Sequence, residues 1–503
     1  MELDASLFEE HTTLDTDICI IGAGPAGLVL ASELEGGQSD VMVLESGGDD
    51  PEPDILALND GDVSGDVYAG LGATRHRQVG GTAQLWNSAI SDAMSAKYAP
   101  LDAPDFEERP GREYSGWPFS LSELRADYER AQRICGLGPL AYDADAWADQ
   151  THRPWTRLGP ALVSRVYQAG TRDALLAPLR ASVRRATNVR LCMHASAVAL
   201  QRDASGRRIS QISVATPGGP RWSVRAKRVV LAAGAVENAR LLLLTEDGSG
   251  AMGNASGWVG RGFMEHPRDR AITLRPRSGD LYASSAFYDQ WRSAGGTWII
   301  GRLALEHAML ASEALPNASA TLLPTLSDAR QRLRAVLPSF ATHWMPMEGH
   351  GWSTKRNASA AYEGFTILLN VEQSPHPDNR VKLSARRDSL GVPLPALHWT
   401  WRADDHARLE RLRALVGKEL EAVGAVAIDR DARPDPNAHH HAGTTRMHVD
   451  PRHGVADADG RVHATDNVYV AGASTFPTAG FANPVLTIVA LSARLARHLS
   501  ATI

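Results

Sequence analysis

The sequence predicts an α/β protein: a Rossmann-like sheet assembled from separate stretches of the chain, with an α+β unit inserted between them. Three observations predict it. Near the start, DICIIGAGPAGLVLASEL runs from an apolar strand through Gly22-x-Gly24-x-x-Gly27 into a helix. From about residue 189 strand-like segments return and end at a second small-residue turn, Ala232-Ala233-Gly234. Close to the end, NVYVAGAS reads as another strand and Asn483-Pro484 opens an apolar helix.

The first pattern is the most demanding. Gly22 makes the tight turn, Gly24 lets the backbone approach a pyrophosphate, and Gly27 lets the helix pack close to the strand. A second strand, VMVLE, ends at Glu45, 18 residues beyond Gly27, where an acidic side chain accepts hydrogen bonds from a ribose. The alternative, a glycine-rich turn that binds nothing, does not call for strand, glycines, helix, strand and terminal acid in that order.

A loop rich in Asp, Gly and Pro (residues 47–70) leads into RHRQVGGTAQLWN. Gly80-Gly81 permit another close backbone approach and set Trp86 and Asn87 beside it, although read alone this is a glycine turn before a buried segment. Residues 96–185 read as a helical excursion, with Ser120 or Ser122 capping a helix that runs to Gly136. VRLCMHASAVALQRD, which contains Val198, then RISQISVATPGG and RWSVRAKRVVL read as three strands. A chain that returns to its first sheet after such an excursion forms a discontinuous domain, here 1–95, 186–270 and 431–503. Residues 271–430 alternate strands (GTWIIGRLAL, FTILLNVEQ, RVKLS, ALHWTW) with helices over Asp328–Leu337 and Asp404–Val423, the pattern of an α+β second domain. The run from Phe340 to Trp352 is placed to cap a pocket, or equally to pack on the surface.

Composition narrows the function. At 503 residues, 43% hydrophobic and 22% charged, the chain suits one or two globular domains. With 58 acidic against 52 basic residues and no basic stripe, nucleic acid is not an expected partner. The three cysteines form no CxxC and Cys19 lies in a predicted buried strand, so a reducing compartment is expected. The acidic start MELDASLFEEH lacks an apolar core, and the longest apolar run, Val229 to Val236, is too short for a bilayer. The expectation is a cytoplasmic protein without a membrane span or a metal.

The stretch from His439 to Thr487 carries the chemistry. Three histidines precede Gly443-Thr444, Gly472-Ala473 follow the strand, and Asn483 stands as N-cap before Pro484 at the first helical position. The helix is apolar enough to be buried, so its positive end faces inward, a site for developing negative charge. A histidine, an amide and a helix N-terminus suggest a place where a proton leaves an alcohol and negative charge lands on a flavin. Without further support, three adjacent histidines also read as a solvated loop or an adventitious metal site.

Together IGAGPAGLVLASEL with Glu45, RHRQVGGTAQLWN, VVLAAGAVENARLLL, VGRGFMEHP (Val259 to Pro267), EQSPHPDNRVKLS, HHHAGTTRM and NVYVAGASTFPTAGFANPVLT resemble the glucose–methanol–choline (GMC) family of flavin-dependent oxidoreductases. The motifs fall in the family's order over nearly the whole chain, closest to its pyranose oxidases and bacterial sugar and polyol dehydrogenases. The resemblance implies FAD, a two-domain fold, and oxidation of a small-molecule alcohol, above all a secondary hydroxyl of a sugar, glycoside or polyol. Oxygen or a quinone-like acceptor would take the electrons. It implies that His440, three positions before Gly443, is the general base and that Asn483 is its partner on the alcohol oxygen, with His439 and His441 structural. It places Gly22, Gly24, Gly27, Glu45, Gly80, Gly81, Trp86, Asn87, Val198, Ala233, Gly234, Gly472, Ala473 and Pro484 at the cofactor, and Gln373, beside Glu372, at the substrate. Leu85 stands where several pyranose oxidases carry a flavin-linking histidine, so the FAD is expected to be noncovalent. Two rival readings are a redox-silent lyase on the same fold and a nicotinamide-dependent dehydrogenase that uses the first fingerprint alone. A nonenzymatic flavin-binding module would leave His440 and Asn483 unexplained.

Overall fold

The structure, a computed structural model, describes residues 1–90, 93–156, 158–248, 250–327 and 350–502. At its centre is the strand Thr13–Ile21, whose last four residues are buried, as a parallel strand covered on both faces requires. Val41–Leu44 and Arg221–Leu231 flank it, both parallel. Beyond Val41–Leu44 come Val189–Met193 and Glu2–Asp4, and beyond Arg221–Leu231 the antiparallel strands Ile209–Ala215 and Ser196–Arg202. Val468–Val470, far along the chain, pairs in parallel with Val229, Val230 and Leu231 at the end of Arg221–Leu231 and completes an eight-stranded sheet. Helices Pro25–Glu33 and Val485–Ala501 pack on each other, and Leu121–Ile134 packs on the latter. Ser120 starts that helix with a capping box: its hydroxyl accepts from the Glu123 N–H while Glu123 accepts from the Ser120 N–H.

The second sheet has nine antiparallel strands, and its path starts with Gly424–Ile428, Arg268–Pro276 and Tyr362–Val371. It runs on through Ala318–Leu326, Trp298–Leu305, Leu162–Thr171 and Ala93–Tyr98 to Ser88–Ile90. The stretch 96–185 is therefore not purely helical, since Leu162–Thr171 lies inside this sheet between Trp298–Leu305 and Ala93–Tyr98. Its polar residues disguise it in the sequence. Gln168 is buried because its amide accepts from the Gly138 N–H and donates to the Pro139 carbonyl, and Arg165 pairs with Asp143 at 3.3 Å. RVKLS and ALHWTW lie in a separate three-stranded sheet with Asp62–Gly65. The expected helix over 404–423 is observed as Ala403–Leu420. The expected helix over 328–337 and residues 340–349 of the expected cap lie outside the described residues. Trp352 is fully buried and donates its indole N–H to Ser285 Oγ at 2.8 Å, so it packs the core. All three cysteines are buried free thiols, and among the described residues no helix is long and apolar enough to cross a membrane.

Candidate active site

A cavity of about 470 Å³ opens where the carboxyl ends of Thr13–Ile21, Val41–Leu44, Arg221–Leu231 and Val468–Val470 face Ser88, Ser95 and Arg268 of the nine-stranded sheet. Gly22, Gly24, Glu45, Ala233, Gly234, Gly472 and Ala473 line its nucleotide-sheet side. Gly81, Trp86, Asn87, His440, Asn483 and Pro484 line the rest. Four of the expected residues sit elsewhere. Gly27 packs the helix onto its strand, where an added Cβ would lie 1.9 Å from the Gly22 carbonyl oxygen. Gly80 turns the chain at φ +96° behind the wall and donates its N–H to the Ala23 carbonyl at 2.8 Å. Val198 points into a side cluster with Leu58, Ala215 and Leu390, while Ala195 and Ala197 face the cavity, the alternation of a strand. Gln373 is buried away from the cavity, its carbonyl accepting from the Glu265 N–H and the Trp399 indole, each at 3.0 Å. It braces the site's neighbours from outside the cavity lining.

Glycines and a helix N-terminus shape the nucleotide-sheet side. Gly22 sits at φ +108°, and a Cβ there would meet Ala232 O at 2.7 Å, so only glycine makes this crossing. Gly24 is the N-cap of Pro25–Glu33 and brings no side chain, leaving the first-turn N–H groups to the cavity. Burial raises the Glu45 carboxyl above its ordinary value against hydrogen bonds from Ala23 and Gly47, at 2.8 and 3.1 Å. The carboxylate thus ties the glycine turn to the end of its own strand, a second role beside any contact with a ribose. At the cavity wall, Glu237 is buried against Arg75, Arg77 and Arg240, with Arg77 at 2.9 Å and Arg240 at 3.2 Å.

The histidine end is assembled by two distant segments. Met264 and Ala442 exchange backbone hydrogen bonds at 3.0 and 3.1 Å, which lays FMEHP alongside the three histidines. His440 lines the cavity, with Asn483 Nδ2 3.3 Å from its Nε2 and His266 Nδ1 3.0 Å from its Nδ1. Burial holds the His440 imidazole well below the ordinary histidine value of 6.5, and His266, Arg268, His439 and His441 push the same way. It is therefore neutral at neutral pH, the state a general base needs. Asn483 does not cap the last helix as expected. Val485–Ala501 starts after Pro484 with no side-chain cap bond, because the Asn483 amide is turned to His440.

Three functional neighbours escaped the sequence reading: Tyr68, Glu265 and His266. Glu265 is fully buried; its Oε2 accepts from the His440 and His266 N–H groups at 3.0 and 3.2 Å, and its Oε1 from Tyr68 OH at 2.6 Å. Burial pushes its carboxyl up to about 7 in spite of those bonds. Tyr68 OH also meets His441 Nε2 at 2.8 Å, so His441 lines the cavity as part of this brace. The signal was present, a Glu-His pair in the apolar segment FMEHP, but nothing local says which strand it will lie against.

A glycine-lined turn region and a histidine–amide pair therefore face one cavity. The GMC oxidoreductase profile matches residues 375–492. Paromamine 6'-oxidase of Streptomyces fradiae is 27% identical over 96% of this chain and 90% of its own length. C-glycoside 3-oxidase of Microbacterium trichothecenolyticum is 36% identical over 22% of each chain. The crystal structure of pyridoxine 4-oxidase from Mesorbium loti superposes with a TM-score of 0.54 at 19% identity, covering 96% of this chain and 98% of that one. Residues 375–492 thus match the GMC oxidoreductase family, and the chain is an FAD-dependent oxidoreductase acting on CH–OH groups.

Proposed function

We propose that the protein oxidises a hydroxyl of a sugar, glycoside or polyol, a secondary one by preference, to a carbonyl, with His440 as general base and Asn483 as the group that orients the alcohol. The observation that carries this is the pair itself. His440 Nε2 and Asn483 Nδ2, 3.3 Å apart at the cavity wall, can both reach one hydroxyl, which gives its proton to the imidazole and accepts from the amide. FAD, when bound, supplies the hydride acceptor. Gly22, Gly24, Gly81, Ala233, Gly234, Gly472 and Ala473 are the residues that would hold it, with the first-turn N–H groups of Pro25–Glu33 at its pyrophosphate. Trp86, Asn87 and Pro484 line the same cavity toward the histidine end. We assign the eight-stranded sheet to the cofactor and the nine-stranded sheet to the substrate. The names of the two curated relatives, both oxidases, support a sugar-like substrate and argue against the lyase reading, and the match to a flavin-dependent family argues against the nicotinamide one.

An anaerobic screen of sugars, glycosides, polyols and simple alcohols, with primary and secondary hydroxyls both represented, tests this reading. Sugar-like secondary alcohols should bleach the flavin, and re-addition of oxygen or a quinone should restore the colour and identify the acceptor. A flavin bleached only by simple primary alcohols, or by none of the panel, would overturn the substrate assignment. Leu85 at the cavity wall supports noncovalent attachment, so acid precipitation of the same sample should leave all the yellow colour in the supernatant. Colour that stays with the precipitate would contradict it. The buried free thiols support a cytoplasmic location, which recovery of the protein outside the cytoplasm would overturn.

Glu45→Ala removes both the expected ribose contact and the two backbone bonds of the glycine turn. It should weaken FAD retention by about 1.5–3 kcal/mol while the apoprotein stays folded. Equilibrium dialysis checks it, and full occupancy of the variant would exclude the role.

A further inference from the structure

Four groups beside the cavity form a directional chain. Ala479 O lies 3.1 Å from His266 Nε2, His266 Nδ1 lies 3.0 Å from His440 Nδ1, and His440 Nε2 lies 3.3 Å from Asn483 Nδ2. A carbonyl oxygen can only accept, so His266 must carry its proton on Nε2. His266 is 1% exposed, and burial holds it down to about 4, so it bears one proton at neutral pH. Its Nδ1 is then a lone pair, which can only accept. The short Nδ1–Nδ1 contact therefore requires the proton of that bond to sit on His440 Nδ1. A neutral His440 with Nδ1–H has its lone pair on Nε2, the nitrogen that faces Asn483 and the cavity. The amide N–H of Asn483 opposite that nitrogen fits the same direction of donation.

We propose that His266 is a positioning residue that fixes His440 in the tautomer with a free Nε2. Ala479 sets the direction of the relay from the turn that also presents Asn483. The proposal rests on the assignment of His440 as base. When the substrate O–H bond breaks, its proton goes to His440 Nε2 while the Nδ1 proton stays in place. The imidazolium that forms keeps a hydrogen bond to the His266 lone pair, which lessens the cost of its charge. Other groups act on the pair from every side. Glu265 fixes both backbone N–H groups, Arg268, His439 and His441 disfavour charge on His440, and Glu372 favours charge on His266. Of these groups, Glu265 is bonded to the two backbones and not to either ring nitrogen of the pair. The choice of tautomer is therefore left to His266.

Histidine side-chain ¹⁵N spectra of the holoenzyme test the tautomer without reference to turnover. The His440 signals, assigned by their loss in His440→Ala, should show a protonated Nδ1 and an unprotonated Nε2. A proton on Nε2 overturns the proposal whether or not any variant folds. His266→Phe should lose the fixed tautomer and slow anaerobic flavin bleaching roughly 10²-fold, with the substrate concentration for half-maximal rate little changed. His266→Gln, whose amide can donate to Ala479 O and accept from His440 Nδ1, should retain the tautomer and a rate within a few-fold of the parent. A His266→Phe enzyme as fast as the parent, or a His266→Gln enzyme as slow as His266→Phe with the His440 tautomer unchanged, would refute the positioning role. If His440→Ala itself leaves the rate unchanged, the base assignment fails, and the tautomer result stands apart from it.

Discussion

His440→Ala is expected to slow anaerobic flavin bleaching by roughly 10²–10⁴-fold, the range for loss of a positioned general base. Raising the pH should recover part of the rate, because more of the alcohol is then ionised before it binds. In the parent enzyme the acid limb of the pH–rate profile should fall below pH 6.5, since burial and the neighbouring cationic and histidine side chains hold the imidazole below that value. Its lone pair is available down to the lowered value and lost only as pH falls through it. Asn483→Ala should also slow bleaching, through lost orientation of the alcohol, but without recovery at high pH. It should cost little stability, because the Asn483 side chain caps no helix. His439→Ala and His441→Ala should change the rate far less. His441 is held in the Tyr68–Glu265 brace, and no ring contact to the His440–Asn483 pair is needed from it. A larger loss at either neighbour than at His440 would mean that another histidine is the base.

Glu372→Ala should be the most destabilising of these substitutions, by about 3–5 kcal/mol, the cost of removing one partner from a buried ion pair. The carboxylate is buried between Arg109, at 2.8 Å, and Arg112, at 2.9 Å, and also accepts from the Asn317 N–H at 3.0 Å. Asp105 lies in the same cluster, and Thr478 donates to its carbonyl at 2.6 Å, so the charged group underlies the turn that leads to Asn483. Denaturant midpoints at saturating FAD measure the loss, since bound cofactor otherwise shifts them. The pH dependence has a definite sign. Burial raises the Glu372 carboxyl, but Arg109 and Arg112 outweigh it and leave the group below its ordinary 4.5. Its contribution is therefore complete above 4.5 and is lost as pH falls below that value. The stability gap between parent and variant should stay constant near neutrality and narrow in acid. A gap that is small at pH 7, or that widens in acid, would contradict the assignment.

Much of the nucleotide end was legible along the chain because its requirements are local. The turn at Gly22 needs a residue that tolerates φ +108° beside Ala232, and Gly27 needs a residue with no Cβ against a carbonyl. Such needs leave glycines at fixed spacing. Strand 162–171 was not legible, because Gln168 and Arg165 break its apolar pattern and find their partners only after folding. Val198 and Gln373 were misplaced for related reasons. A strand alternates faces, so one residue of offset moves a side chain from cavity to core. A polar side chain next to a motif can also be fully occupied in bracing it.

By itself the sequence determined the chemistry of the parts: a dinucleotide cradle, a histidine and an amide near a buried helix, and the GMC order of motifs. The tertiary structure decided what surrounds His440. Met264 and Ala442 pair across the chain and bring Glu265 and His266 against His440. Ala479 O then determines which nitrogen of His266 carries the proton, and with it which nitrogen of His440 is free. Which segment aligns beside which was not legible in the local spacing of residues, because backbone pairing and burial between segments so far apart along the chain arise only on folding.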